Sequence, residues 1–196
     1  GLAGLISFNA SLLFSWLFYL SGNIPLSLLA IVLSGTTLGF LFFNFHPARV
    51  FMGDAGSLAI GSIFCLLSIN AINESYLLAP IWLQNINKPI FVMSILVYPL
   101  IDTLRVFILR ILQGNSPFKA DKNHIHHKFE KMGIGHRRTA LTLFFFSIVV
   151  VLFQLFIQIF LKIQSPTVLL LIQISFSSTL IFLIFKIYKK LFTSFD

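Results

Sequence analysis

Six long apolar stretches constrain what this chain can fold into more than any other feature of its sequence. They cover residues 3–21, 24–43, 57–73, 90–112, 139–161 and 166–187. A helix needs about 20 mostly apolar residues to cross the hydrocarbon core of a bilayer. Backbone groups in lipid must be satisfied within the segment, so spans of this length are helices and not strands. The sequence therefore predicts an all-α, polytopic transmembrane helix bundle with about six spans.

The composition and the placement of charge agree with a membrane protein. Of 196 residues, 57% are hydrophobic and only 10% are charged, whereas a soluble domain carries roughly a quarter charged residues. The net charge of +8 does not indicate nucleic-acid binding, because twelve of the fourteen Lys and Arg residues lie in or beside three segments. These segments are 44–56, 113–138 and the C-terminal tail, and they alternate with nearly uncharged ones. This is the positive-inside pattern, and we expect membrane lipids and no nucleic acid as partners.

The same count predicts an orientation. Six spans bring the three basic segments to one side of the membrane, which the positive-inside rule makes the cytoplasm. The opposite loops offer little beyond Glu74. Most of the remaining ionisable side chains fall on the basic side, namely His46, Asp54, Asp102, Asp121, His124, His126, His127 and His136. We therefore expect an active site that faces the cytoplasm.

The first candidate motif runs from Asn44 to Ser57 and carries a lone carboxylate, Asp54, between Gly53 and Gly56. Glycine permits close backbone approach, which suits a loop that closes over a phosphate. A carboxylate is a hard oxygen ligand suited to Mg²⁺ shared with substrate phosphates. No Gly-Lys-Ser/Thr follows, so this is not a Walker loop. The alternative is a tight turn in which Asp54 caps a helix that begins near Ser57.

The second candidate motif places an acid inside an apolar stretch. Asp102 lies between Pro99 and Arg110, and a buried carboxylate in a membrane span is costly and is by default a functional candidate. Arg105 is three residues further on, so the two side chains can meet on one helix face. Arg110 lies two turns beyond Asp102 on about the same side. The alternative is a buried ion pair that fixes helix packing.

The third candidate motif spans residues 116–128 and concentrates three histidines, His124, His126 and His127, among lysines. Together they can present several N–H donors and positive charge to a diphosphate. A zinc site is disfavoured, because side chains this close seldom supply three ligands to one ion. A merely solvated basic loop remains the alternative. His136 and the Arg137–Arg138 pair are interpreted as interface anchors of the next helix.

Taken together, these motifs resemble the polyprenyl-phosphate N-acetylhexosamine-1-phosphate transferase family, also called glycosyltransferase family 4. The resemblance runs through residues 44–61 and resumes through residues 99–127. The histidine motif Asp-Lys-Asn-His-Ile-His-His is similar to the N-acetylglucosamine-type branch rather than to the phospho-N-acetylmuramoyl-pentapeptide branch. The resemblance implies transfer of a sugar 1-phosphate, with GlcNAc as the expected sugar, from a UDP-sugar to undecaprenyl phosphate. UMP would leave, as the first step of cell-envelope polysaccharide assembly.

The resemblance also implies roles for individual residues. Asp54 matches the family's magnesium-binding aspartate, which makes it the expected catalytic and metal-binding residue, with Mg²⁺ as cofactor or Mn²⁺ in its place. The implied substrate-binding residues are Asn44, Asp102, Arg110, His124, His126 and His127. The implied location is the bacterial cytoplasmic membrane, and a homo-oligomer stays open.

Two departures from the family pattern bear on completeness. Family members carry further spans and an adjacent aspartate pair upstream, and this chain has no Asp-Asp pair. Residues 1–4 resemble the end of a conserved family element, cut after its last aspartate. We therefore expect residues 1–196 to be the C-terminal part of a single integral membrane transferase domain. The alternative is a noncatalytic or degenerate membrane protein that binds a lipid carrier or serves a transporter, although ionisable groups gathered at one face disfavour a translocation path.

Overall fold

The computed structural model describes residues 1–118 and 123–193, and within these ranges the chain is helical with no strand. The helices are α1 (Leu2–Leu20), α2 (Ile24–Asn44), α3 (Gly53–Asn73), α4 (Ile81–Gln84), α5 (Lys88–Ile95), α6 (Val97–Leu112), α7 (Ile125–Lys131), α8 (His136–Phe160) and α9 (Pro166–Thr193). Five of them, α1, α2, α3, α8 and α9, are long and apolar enough to cross a membrane. The prediction of an all-α, multi-pass membrane bundle is confirmed.

The fourth predicted span is not one continuous helix, and this is a correction. Residues 90–112 divide into α5 and α6, whose axes meet at 83° around Leu96. The described residues therefore contain five helices able to span a membrane, or six spans if the bent pair counts as one. Pro99 explains the break, because it has no N–H to donate to the carbonyl of Ile95 and its ring would clash with that carbonyl. Within the first turn of α6 the proline is tolerated, and Leu100 N–H resumes the ladder by donating to Leu96 O at 3.1 Å.

Helix α1 lies at the centre of the bundle. Its residues Ala10, Phe14, Leu17 and Phe18 are completely buried, where they face α2, α3, α5 and α8. The outer surface instead carries large apolar side chains, with Phe42 at 82% exposure as an example. In water such a surface would be unstable, whereas in a bilayer lipid covers it. The packing therefore agrees with the membrane assignment.

Contacts between loops divide the molecule into two ends. At one end, the rings of His46 and His136 stack with centroids 5.8 Å apart, and Tyr188 near the end of α9 lies 2.8 Å from Thr142 of α8. We call this the histidine end. At the opposite end, Asn23 Nδ2 donates to Glu74 Oε2 at 2.7 Å. The three basic segments therefore share one end, as the span count predicts.

Candidate functional site

A cavity of about 590 Å³ opens at the histidine end. The start of α1, the loop between α2 and α3, α7 and the first turns of α8 form its walls. Its lining residues are Gly1, Leu2, Ala3, Asn44, Phe45, His46, Pro47, Ala48, Phe51, Met52, His126, Glu130, His136, Arg137, Thr139 and Ala140. The cavity thus brings the first and third sequence motifs to one place, with imidazoles, a carboxylate, a guanidinium, an amide and a hydroxyl among apolar side chains.

A second, more open cavity of about 510 Å³ adjoins the first one. The two share Phe45, His46 and Pro47. The remaining lining residues are Leu5, Leu38, Leu41, Phe42 and Arg49. An apolar groove along α1 and α2 therefore ends at a histidine and an arginine, beside the mouth of the larger cavity.

Asn44, the last residue of α2, organises the loop that separates the two cavities. Its side chain is 6% exposed, and Nδ2 donates to the carbonyl of Val50 at 2.7 Å. The backbone N–H of Arg49 donates to the carbonyl of Phe43 at 2.8 Å. These bonds fold the loop back onto the end of α2. The structure places Asn44 at the cavity wall, as a brace for the loop whose side chains line the cavity.

Asp54 lies in the first turn of α3, and its carboxylate is exposed. The helix begins at Gly53, four residues before the predicted start near Ser57, and its N-cap is Met52, which makes no side-chain cap bond. The alternative role of Asp54 as the cap is therefore wrong. Gly53 has a φ of 67°, a backbone conformation that glycine adopts at little cost. Asp54 lies two residues after Met52 in the sequence. Met52 lines the cavity, whereas Asp54 does not.

Among the described residues, Asp54 is the carboxylate that the sequence resemblance assigns to a metal. Within residues 1–118 and 123–193, no group of three or more His, Cys, Asp or Glu side chains could enclose a metal ion. Mg²⁺ does not require such a cage, because it is commonly bound by one or two carboxylates together with substrate phosphates and water. The exposed carboxylate of Asp54, with no hydrogen bond to other described residues, fits that mode of binding.

Asp102 is buried on α6, with 5% of its surface exposed. Its Oδ2 lies 2.9 Å from His124 Nδ1, and its Oδ1 accepts the backbone N–H of Ile125 at 2.8 Å. The guanidinium of Arg105 is further away, at 3.8 Å from Oδ1. Asp102 therefore satisfies the first N–H of α7 and holds the first histidine of the third motif, which agrees with the alternative that this acid fixes packing.

The two arginines of α6 bind the backbone of the segment that follows. Arg105 donates to the carbonyl of Asn123 at 2.9 Å. Arg110 is 7% exposed and donates to the carbonyl of Pro117. Neither lines the cavity, so both act here on the shape of the connection between α6 and α7. Residues 119–122 of the third motif, which include Lys119, Asp121 and Lys122, lie outside the described residues.

The three histidines of the third motif form one cluster but reach different partners. The ring centroids of His124 and His126 are 5.8 Å apart, and those of His126 and His127 are 4.2 Å apart. Only His126 of the three lines the cavity. Burial, followed by the charge of His127, lowers the pKa of His126, against the opposing effects of Asp102 and Glu130. The neutral imidazole of His126 is therefore favoured at the cavity wall.

Four cavity residues were not assigned to the site by the sequence interpretation. His46 and His136 were named only as ionisable side chains on the basic side, His136 and Arg137 were interpreted as interface anchors, and Glu130 was not singled out. Glu130 joins two histidines, with Oε2 at 3.0 Å from His127 Nδ1 and Oε1 at 2.7 Å from His136 Nδ1. The spacing of three residues between His127 and Glu130 is the signal that could have indicated their contact, since such residues share a helix face. No comparable local signal relates His46 to His136, because the two rings meet across different elements.

Comparison with known proteins agrees with the resemblance in the motifs. Residues 1–72 match the family model described as glycosyl transferase family 4, a range that contains Asn44 and Asp54. A "Probable undecaprenyl-phosphate N-acetylglucosaminyl 1-phosphate transferase" of Bacillus subtilis (strain 168) is 37% identical over 123 residues, which cover 63% of this chain and 32% of the relative. A "Decaprenyl-phosphate N-acetylglucosaminephosphotransferase" of Mycolicibacterium smegmatis is 35% identical over 123 residues, which cover 61% of this chain and 30% of the relative.

Members of a second branch also match. A "Phospho-N-acetylmuramoyl-pentapeptide-transferase" of Bacillus licheniformis is 32% identical over 168 residues, which cover 82% of this chain and 46% of the relative. No solved structure matches the chain. The matched part of the chain spans between 30% and 46% of the length of these curated relatives. The family match, the two shared motifs and the transmembrane helices together show that the chain belongs to glycosyl transferase family 4.

Proposed function

We propose that the protein transfers GlcNAc 1-phosphate from UDP-GlcNAc to undecaprenyl phosphate and releases UMP. In this reaction an oxygen of the lipid phosphate attacks the β-phosphorus of the UDP-sugar. The bond between that phosphorus and the bridging oxygen breaks, and a lipid-linked sugar diphosphate forms. The family match supports this class of reaction, as do the names of relatives such as the B. subtilis protein.

The observation that carries the proposal is the pair of adjoining cavities at the histidine end. One is an apolar groove that ends at His46 and Arg49, which suits a polyprenyl chain with an anionic head. The other is lined by His126, His136 and Arg137, whose N–H donors suit a nucleotide diphosphate. Since the two share one wall, a lipid phosphate and a nucleotide sugar could meet there. Donors fixed in place before reaction stabilise the charge that develops on the diphosphate.

The proposed metal is Mg²⁺, or Mn²⁺ in its place, held by Asp54 together with phosphate oxygens and water. Such an ion offsets negative charge on a transferring phosphoryl group when bound. The chain's own contribution is to present the Asp54 carboxylate at the start of α3, exposed and without a side-chain partner among the described residues. His126 at the cavity wall offers a neutral ring, and Asn44 holds the loop between the cavities in shape.

The proposed location is the bacterial cytoplasmic membrane, with the histidine end facing the cytoplasm. The grouping of the basic segments 44–56, 113–138 and 186–190 at one end supports this orientation. A cytoplasmic site also agrees with a nucleotide sugar as donor, because such donors are made inside the cell. The product would begin the assembly of a cell-envelope polysaccharide.

The test uses membranes from cells that express the protein from its complete gene. These membranes are incubated with undecaprenyl phosphate and UDP-GlcNAc labelled in the sugar and in the β-phosphate, with Mg²⁺ or with a chelator. We expect both labels in the lipid fraction, equimolar UMP, and loss of transfer with the chelator. Binding of UDP-GlcNAc without any lipid product would instead indicate a noncatalytic protein and would overturn the proposal.

A further inference from the structure

Glu130 is an acidic residue at the centre of a basic site, and the proposed chemistry does not use it. Its two carboxylate oxygens contact two different imidazoles, His127 Nδ1 at 3.0 Å and His136 Nδ1 at 2.7 Å. His127 belongs to the same short helix, α7, whereas His136 is the first residue of α8. The carboxylate therefore connects the histidine motif to the following helix.

The charge state of Glu130 fixes which nitrogen of each ring carries a proton. Burial raises the pKa of the Glu130 carboxyl, but the hydrogen bond from His127 and the charges of His136, His127 and His126 hold it below its ordinary value. An ionised carboxylate can only accept hydrogen bonds. The His127 ring therefore donates from Nδ1, and a carboxylate oxygen 2.7 Å from His136 Nδ1 favours a proton on that nitrogen as well. Nε2 of each ring is then the nitrogen available to another group.

The contact extends to the loop of the first motif. The His136 ring stacks on His46, with centroids 5.8 Å apart, and Glu130, His136 and His46 all line the larger cavity. The side chains of Glu130, His127 and His136 are 28%, 33% and 67% exposed. Ion pairs this accessible to solvent contribute little to folding stability. Their effect is on the orientation of the rings.

We propose that Glu130 is a positioning residue for the sugar-phosphate transfer, which orients His127 and His136 through their Nδ1 atoms and so holds the stacked His136 and His46 rings at the cavity. This inference rests on the proposed function. It predicts that removal of the carboxylate disturbs recognition of the nucleotide sugar rather than folding. Displacement of a positioned group by about 1 Å can cost up to about 100-fold in rate.

The kinetic test compares Glu130→Gln with Lys131→Gln in the protein expressed from its complete gene. Lys131 is the neighbouring residue on α7, is exposed, and does not line the cavity. We expect Glu130→Gln to lower kcat/KM for UDP-GlcNAc by about 10- to 100-fold, chiefly through KM, with KM for the lipid within about twofold. Lys131→Gln should stay near wild type. Equal kcat/KM for both variants would overturn the positioning role.

A second measurement does not depend on turnover. ¹⁵N-histidine NMR of the purified protein can report the tautomer of each of the five histidines in residues 1–196. We expect the Nδ1–H tautomer at His127 and His136 in the wild type, and its loss at one of them in Glu130→Gln, because the amide can accept from only one ring. Unchanged tautomers would overturn the inference. Absence of transfer by the wild type would count against the proposed function and leave this readout valid.

Discussion

The imidazole of His124 and the carboxylate of Asp102 are joined through Nδ1 and Oδ2, 2.9 Å apart, although 22 residues separate them in the chain. The same carboxylate accepts the backbone N–H of Ile125, where α7 begins. An acid on α6 therefore fixes both the first histidine of the third motif and the start of the helix that carries the others. This contact gives a physical reason why the second and third motifs occur together.

Substitution of Asp102 is expected to affect both stability and activity. Asp102→Ala leaves the Ile125 N–H and His124 without their acceptor in a buried position, which costs about 1–3 kcal/mol. Asp102→Asn keeps one acceptor oxygen and should cost less. Thermal unfolding of the purified protein and the transfer assay check both variants. An Asp102→Ala protein that unfolds at the wild-type temperature would contradict the anchoring role.

Substitution of Asp54 is expected to separate activity from stability. The Asp54 carboxylate is exposed and has no side-chain hydrogen bond within the described residues, so Asp54→Asn should leave the unfolding temperature unchanged. If the carboxylate holds Mg²⁺, transfer should fall by at least about 100-fold. The measurement is the transfer rate across a Mg²⁺ titration. Near-normal activity in a folded Asp54→Asn protein would rule out the metal role.

The stability of the histidine cluster should fall in mildly acidic solution. Burial and the neighbouring His127 lower the pKa of His126 from 6.5, while Asp102 and Glu130 oppose that shift and His124 adds to it. The unfolded chain therefore binds a proton at His126 before the folded chain does. The contribution of His126 is complete above pH 6.5 and is lost as the pH falls from there toward the lower folded value.

Replacement of His126 by Gln tests whether His126 causes the loss of stability at acidic pH. The decrease in unfolding temperature between pH 7.5 and pH 5.5 should be smaller in His126→Gln than in the wild type. Glu130 does not confuse the comparison, because its pKa is held below 4.5 and its own contribution is lost at lower pH. An equal or steeper pH dependence in the variant would show that His126 is not the responsible group.

The long helices could be predicted from the sequence because hydropathy reports directly on burial in lipid. The break at Leu96 could not be found in this way, since apolar character continues on both sides of it, from residue 90 to residue 101. Pro99 is the residue that indicates the break, because it has no backbone N–H, and a hydropathy profile does not detect this. The charge count and the number of spans correctly indicated that the segments of Asn44 and His126 would lie at one end of the bundle.

The contacts of Glu130 and His136 could not be predicted from the sequence. The two residues lie in different helices, α7 and α8, separated by a turn that contains Gly133 and Gly135. Helical periodicity relates residues within one helix and gives no relation between two helices. Their contact is set by how α7 packs on α8, and for this reason His136 was interpreted as an interface anchor rather than as a cavity residue.

The orientation of the bundle can be tested with single cysteines. Cys65 is the only cysteine of residues 1–196, so a Cys65→Ala background, with any cysteine elsewhere in the complete protein also replaced, accepts one new thiol at a time. Lys131→Cys places the thiol on α7 at the histidine end, and Ser75→Cys places it just after α3 at the opposite end; both native side chains are exposed. The proposed orientation puts position 131 in the cytoplasm.

In protoplasts, a membrane-impermeant maleimide should therefore label Ser75→Cys at once and Lys131→Cys only after permeabilisation. Inverted membrane vesicles should show the reverse, which controls for a thiol that is merely unreactive. Labelling of both positions from the same side would mean that the bent pair α5 and α6 does not complete a crossing. Labelling of Lys131→Cys alone in protoplasts would put the basic segments and the cavity outside, where a cytoplasmic nucleotide sugar could not reach them.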